Sequence, residues 1–177
     1  MQEYDRCLRF EQLILPHLDA AYNLARWLTR NNEDAQDMVQ EACLRAYRFL
    51  PSFRGGSSRS WLLTIVRNTC YTWLHQQHID DVFNEELHDR ESEALDPENI
   101  YMHLMDQEKV KEAIEALPLE LREVIVLREI EELSYKEISI IVHIPMGTVM
   151  SRLSHARKRL QQYLTRQVNE EENEGEL

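Results

Sequence analysis

Ser134-Tyr135-Lys136-Glu137-Ile138-Ser139-Ile140-Ile141-Val142-His143-Ile144-Pro145-Met146-Gly147-Thr148-Val149-Met150-Ser151-Arg152-Leu153 reads as two helices joined by a turn of three to four residues. Ser134 followed by Glu137 is a capping box, a pair that satisfies two of the N–H groups left open where a helix starts. Ile138, Ile141 and Val142 recur behind it at helical spacing. His143-Ile144-Pro145 then breaks the pattern, because proline lacks the N–H a helix interior needs. Val149, Leu153, Ala156, Leu160 and Leu164 form the inward stripe of a second helix. A pair of helices arranged this way is a helix-turn-helix, whose second helix presents its first residues to the DNA major groove. Near that start stand Thr148 and Ser151, short hydrogen-bonding groups, with Arg152, Arg157 and Lys158 available to phosphates or guanine edges. An amphipathic hairpin with a solvated basic face gives the same pattern, so the motif alone does not settle function.

The whole chain of 177 residues has a formal net charge of -12, which disfavours unaided binding to DNA. The charge is unevenly placed. Residues 1–80 carry nine basic and nine acidic side chains, and 81–105 carry one basic against eight acidic. Residues 106–142 carry five against ten, 143–168 five against none, and the last nine residues add five acids. All the surplus positive charge therefore lies on the second helix of the motif and its continuation. No apolar run approaches the roughly 20 residues of a membrane span. The acidic Met1-Gln2-Glu3-Tyr4-Asp5 is unlike a signal peptide, so a cytoplasmic protein with no membrane insertion of its own is expected. Cys7, Cys43 and Cys70 form no close-spaced cluster and read as small buried thiols.

Upstream of the motif, helical periodicity dominates and no period-two strand stands out. Leu18, Ala21, Tyr22, Ala25 and Leu28 share one stripe, with Pro16 in a first turn or at a kink. Asn31-Asn32 supplies an N-cap, and Glu33, Asp34 and Asp37 place negative charge where a helix N-terminus favours it. Ala35, Met38, Val39, Ala42, Ala46 and Phe49 form the next core stripe, leaving Asp34, Asp37 and Glu41 on a separate polar face. Pro51 and Gly55-Gly56 open a loop, after which Ser57, Ser58 or Ser60 can cap a helix with Leu62, Ile65, Val66, Thr69 and Trp73 inside. Three such helices make one bundle. Residues 79–96 read as an acidic linker. Asp96-Pro97 marks the next helix start, and Leu121, Val124, Ile125 and Leu127 belong to a helix after Pro118. The expected fold is all-α, with two small helical domains.

Asp34-Ala35-Gln36-Asp37-Met38-Val39-Gln40-Glu41-Ala42, followed by Leu44-Arg45-Ala46-Tyr47-Arg48, resembles the core-polymerase-binding helix of bacterial sigma-70-type factors. Phe53-Arg54-Gly55-Gly56, Trp61-Leu62 and Arg67-Asn68 resemble the promoter-melting region of the same family. Leu117-Pro118 to Arg128, together with the helix-turn-helix, resembles its fourth conserved region. The order and the short length are similar to the extracytoplasmic-function subfamily. The resemblance implies region 2 over residues 10–78, the linker over 79–96, region 4 over 97–166 and an acidic tail over 167–177. It implies a factor that binds core RNA polymerase, directs it to promoter DNA and helps melt the start region, with no enzymatic activity or cofactor of its own.

By the same resemblance, Asp34, Asp37, Gln40, Glu41 and Arg45 would dock on the polymerase. Arg54, Gly55, Gly56, Ser57, Ser58, Arg59, Ser60, Trp61, Arg67 and Asn68 would hold the melted minus-ten element, whose extruded base must be compensated for lost stacking. Thr148, Met150, Ser151, Arg152, Ser154, His155, Arg157 and Lys158 would meet the minus-thirty-five element. Met150 and His155 stand where basic residues are frequent in the family, which removes two bidentate guanine contacts. His143 replaces the usual glycine of the turn. An anti-sigma factor is implied as a further partner. The competing reading is an autonomous helix-turn-helix regulator with residues 10–78 as a sensing or dimerisation domain. A metal enzyme using His75, His78, His88 or His103 is disfavoured, since His75 and His78 are the only close pair and no His-Glu-x-x-His occurs.

Overall fold

Asn31 starts the helix around which the N-terminal half is built. Its side-chain oxygen accepts from the backbone N–H of Glu33 at 2.8 Å and of Asp34 at 3.0 Å, filling the open donors of the first turn. In the computed structural model, which describes residues 2–83 and 102–175, this is helix α3, Asn32–Phe49. It follows α1, Gln2–Ile14, and α2, Leu18–Thr29, which are separated by a 3-10 turn over Leu15–His17 that contains Pro16. Ala35, Ala42 and Ala46 are fully buried and face Ala21 and Ala25 of α2 in one core, where small side chains let helices approach closely. Helix α4, Ser58–Phe83, closes the bundle with Leu62, Leu63, Val66 and Cys70 at 0% exposure. Ser57 is its cap, accepting from the N–H of Ser60 at 3.1 Å.

Two details depart from the helical stripes. Phe49 is 53% exposed and Leu50 fills the core position at 1%, because the chain tightens into a 3-10 turn over Leu50–Ser52 at Pro51. Helix α1 lies outside the expected three-helix bundle and adds a fourth member. It is fastened to α3 by Arg6, which donates to the Tyr47 carbonyl and lies over its ring, and by an edge contact between Phe10 and Tyr47. Of the cysteines only Cys70 is buried, against the expectation for all three; Cys43 is intermediate and Cys7 exposed, its sulfur 3.5 Å from the Tyr47 hydroxyl.

The C-terminal half contains α5, Met102–Glu115, and α6, Leu119–Ile125, which widens into a π turn over Val126–Ile130. The short α7, Tyr135–Val142, and the long α8, Met146–Gly175, follow. The capping box is formed: Glu137 N–H donates to Ser134 Oγ at 3.2 Å, and Ser134 N–H donates to Glu137 Oε2 at 2.8 Å. Helix α4 reaches Phe83, past the expected linker start, and α8 carries the acidic tail as helix to Gly175. The rest of the linker, the Asp96-Pro97 start and His88 lie outside the described residues.

His143 takes the left-handed conformation at φ 62°, and its N–H bonds to the Ser139 carbonyl. Ser139 Oγ donates in turn to the Ile144 carbonyl at 2.6 Å, locking the turn from both sides. A side chain with a Cβ is strained in this region by about 1 kcal/mol or more. His143→Gly is therefore expected to raise the stability of the domain by about 1 kcal/mol, seen as a higher urea midpoint with unchanged slope. His143→Val should lower it.

The two halves are not separate bodies on a tether. Helix α6 packs on α2, and α7 packs on α4, so one continuous core runs through both. Residues 121–127 are buried without exception, including Arg122 and Glu123, which stand outside the apolar set Leu121, Val124, Ile125 and Leu127. A helix buried all round has a partner on each side. Here one side faces α5 and α8, and the other faces the N-terminal half.

Candidate nucleic-acid interface

On α3, Asp37 and Gln40 are exposed, Asp34 and Glu41 are partly buried, and Arg45 donates to Glu41 at 2.8 Å one turn away. Leu44 stands four residues after Gln40 and is 66% exposed. It belongs to the same face, and was passed over because the face was read from its charged and polar residues alone. Its place off the Ala35-Ala42-Ala46 stripe was the available signal. An apolar side chain rimmed by carboxylates is the composition of a docking surface.

The loop before α4 splits into exposed and supporting parts. Arg54, Gly55, Gly56 and Ser57 are exposed. Gly55 at φ +100° and Gly56 at φ +90° adopt a backbone that side-chain-bearing residues rarely tolerate, although a Cβ at either would meet nothing within 4 Å. Trp61 is half-buried under the loop with its ring 5.0 Å from that of Phe53, and Ser60 is buried. Ser58 Oγ lies 3.2 Å from His17 Nε2. Burial, and then the charge of Arg59, push the His17 imidazole below its ordinary value.

Arg59 and Arg67, by contrast, point into the seam between the halves. Arg59 donates to the Glu131 carbonyl at 2.8 Å and to its carboxylate at 2.9 Å. Arg67 grips Glu123 through two nitrogens, at 2.9 and 3.3 Å, and stacks on the Tyr71 ring with 3.7 Å to the centroid. Glu123 has 0% exposure and Glu131 has 7%. Burial pushes the Glu123 carboxyl above its ordinary value, and the hydrogen bonds and charge of Arg67 pull it partly back. Burial works against the Arg67 charge as well, but Glu123 outweighs it and the group sits above its ordinary value. Arg122 fastens the seam further along, donating to the Trp27 carbonyl of α2 at 2.9 Å and to the Leu117 carbonyl at 3.0 Å. Both acceptors lie at helix C-terminal ends, where the backbone favours a cation. Burial nonetheless lowers the Arg122 pKa to about 10. Asn68, on another side of α4, remains exposed.

On α8, Met150, Ser151, Ser154, His155 and Lys158 are exposed and Thr148 is half-buried. Ser151 Oγ donates to the Thr148 carbonyl at 3.1 Å. The arginines are drawn aside: Arg152 lies 3.7 Å from Glu120 and 3.9 Å from Glu123, and Arg157 is 2.7 Å from Glu129. Glu123 therefore faces one candidate DNA-contacting arginine from each half. His75 and His78 lie exposed on α4, and no group of three or more His, Cys, Asp or Glu placed to hold a metal occurs among the described residues. No helix among them is long and apolar enough to cross a membrane.

Residues 13–78 match the family model for Sigma-70 region 2, and residues 107–160 match that for Sigma-70, region 4. The chain is 41% identical over 137 residues to the ECF RNA polymerase sigma-E factor of Escherichia coli, covering 72% of each protein. It is 32% identical over 163 residues to the ECF RNA polymerase sigma factor SigE of Mycolicibacterium smegmatis, spanning 91% of this chain and 63% of that relative's length. Among solved structures, the sigma factor RpoE in complex with the anti-sigma factor NepR from Bartonella quintana superposes with a TM-score of 0.71 at 28% identity. That match covers 88% of this chain and 96% of the other. The region 2 match over the N-terminal half disfavours its reading as the sensing domain of an autonomous regulator. With both regions present in order and relatives of this identity, the chain belongs to the extracytoplasmic-function family of RNA polymerase sigma factors.

Proposed function

We propose that this protein binds core RNA polymerase in the cytoplasm, directs it to promoters and helps melt the start region, without enzymatic activity of its own. The observation that carries the reading is the co-occurrence of region 2 over 13–78 and region 4 over 107–160 in one chain. Asp34, Asp37, Gln40, Glu41 and Arg45, with Leu44 among them, form the polymerase-docking face of a region 2 unit over residues 10–78. Arg54 to Trp61, with Arg67 and Asn68, receive the minus-ten element. Thr148, Met150, Ser151, Arg152, Ser154, His155, Arg157 and Lys158, in a region 4 unit over 97–166, receive the minus-thirty-five element.

The seam sets an order on these events. Phosphate and the carboxylates of Glu123 and Glu131 compete for the same guanidinium groups, so Arg59 and Arg67 reach DNA only after α6 and α7 leave α2 and α4. The Gly55-Gly56 loop and the outer face of α8 are already open. A chain in this closed form suits capture by an anti-sigma partner, in keeping with the likeness over 88% of its length to a sigma factor solved with one.

Reconstitution of the full chain with core polymerase, followed by mapping of transcript starts on genomic DNA, tests the reading. Initiation at a defined set of sites that share two spaced elements is expected. Absence of any specific initiation, with active core enzyme and no inhibitor, would overturn it.

A further inference from the structure

We propose that Met146 and Met150 form an apolar base-reading pair at the start of α8, and that they recognise the C5-methyl groups of thymines in the upstream promoter element. The proposal rests on the assignment of α8 as the helix that enters the major groove at that element. Met146 and Met150 are four residues apart, hence on one face of the first turns, and are 44% and 47% exposed. Those turns are the part of a helix-turn-helix that meets base edges. Gly147 stands between them with nothing within 4 Å of where a Cβ would lie, so neither side chain nor neighbouring structure keeps the backbone from the groove.

The arginines nearest these turns, Arg152 and Arg157, are engaged elsewhere, and His155 and Lys158 stand beyond the first two turns. A bidentate contact to guanine needs a guanidinium fork that is not shared with a carboxylate. Arg152 is turned toward Glu120 and Glu123 with its side chain only 23% exposed, and Arg157 is paired with Glu129 at 2.7 Å. Ser151 already spends its hydroxyl proton on the Thr148 carbonyl. What remains outward in the first two turns is mainly two thioether side chains. In the major groove the apolar group that distinguishes one base from the others is the thymine methyl. Methionine is unbranched and polarizable, and can settle against such a methyl without a fixed approach angle. Exposed methionines that occur singly need no explanation, but two at this spacing and place define a surface.

The test uses holoenzyme assembled from the full chain and core polymerase. The upstream element is selected from a randomised promoter library, and each thymine in the selected element is replaced by uracil, which removes the methyl and nothing else. Loss of about fourfold in promoter affinity per contacted thymine is expected, the factor for one buried methylene-sized group. Met146→Ala/Met150→Ala should bind thymine and uracil promoters alike, with unchanged thermal stability because both residues are exposed. Met150→Arg should move the selected base toward guanine. Equal binding of thymine and uracil promoters by the wild type, or a thymine preference that survives the double substitution, would overturn the proposal and leave the sigma-factor reading intact. Failure to select any promoter would instead reject that reading, and this proposal with it.

Discussion

Glu123→Ala is expected to lower the unfolding free energy by about 3 kcal/mol, the cost of leaving a buried cation without its counter-charge. Glu123 is fully buried and holds Arg67 through two hydrogen bonds, while the Arg67 side chain is itself only 17% exposed. Taking away the carboxylate leaves the guanidinium in a largely buried seam with the Tyr71 ring as close support. The chain can escape that cost by separating α6 and α7 from α2 and α4, so the loss should appear first as seam opening. Two probes distinguish opening from unfolding: hydrogen exchange at α6 should accelerate, while that of the α3 core at Ala42 and Ala46 should not. The double variant Glu123→Leu/Arg67→Met should recover most of the stability, because it replaces a buried pair with apolar groups of similar size. Since opening releases Arg59, Glu123→Ala should also bind single-stranded minus-ten DNA at least tenfold more tightly than wild type in the absence of polymerase, about 1.4 kcal/mol. A variant as stable as wild type, with the same DNA affinity, would remove the seam from the account.

Asp37→Arg is expected to weaken binding to core polymerase about a hundredfold, with no change in unfolding midpoint. Asp37 is exposed on α3, and its stripe neighbours Met38 and Ala42 bear the packing, so the substitution leaves the bundle untouched. Reversing a charge that a partner desolvates and pairs costs about 2–5 kcal/mol at an interface. Leu44→Ala should add a further loss of affinity by removing the apolar centre of the same face. Competition against the wild-type chain for a limiting amount of core polymerase gives both numbers. Retained affinity in the Asp37→Arg/Leu44→Ala variant would place the docking surface elsewhere on the molecule.

Much of this molecule was legible from residues a few places apart. Asn31, Ser134-Glu137 and Pro145 specify helix starts through hydrogen bonds and backbone limits that depend only on near neighbours. The left-handed turn at His143 was implied instead by the family resemblance, in which a glycine usually stands there. Apart from Phe49, the α3 stripe and its acidic face followed from helical spacing, whereas Met150, Ser154 and His155 on α8 were singled out by the family resemblance. Helix α1 was not legible in this way: its apolar Tyr4 and Leu8 stay exposed, and Arg6 and Phe10, which help to anchor it, act through one distant tyrosine.

Periodicity reports which side of a helix avoids water; it does not report what lies on the other side. By itself the sequence determined most of the helices, the caps at Asn31 and Ser134 and the order of the two regions. Only the tertiary structure decided that α6 is enclosed from both sides, which makes Arg122 and Glu123 buried clasps. It also decided which cations are engaged, with Arg59, Arg67, Arg152 and Arg157 each drawn to a carboxylate. The reason is physical: caps and stripes are encoded within a few residues, whereas a buried ion pair joins residues 56 positions apart and exists only once two separate surfaces have met.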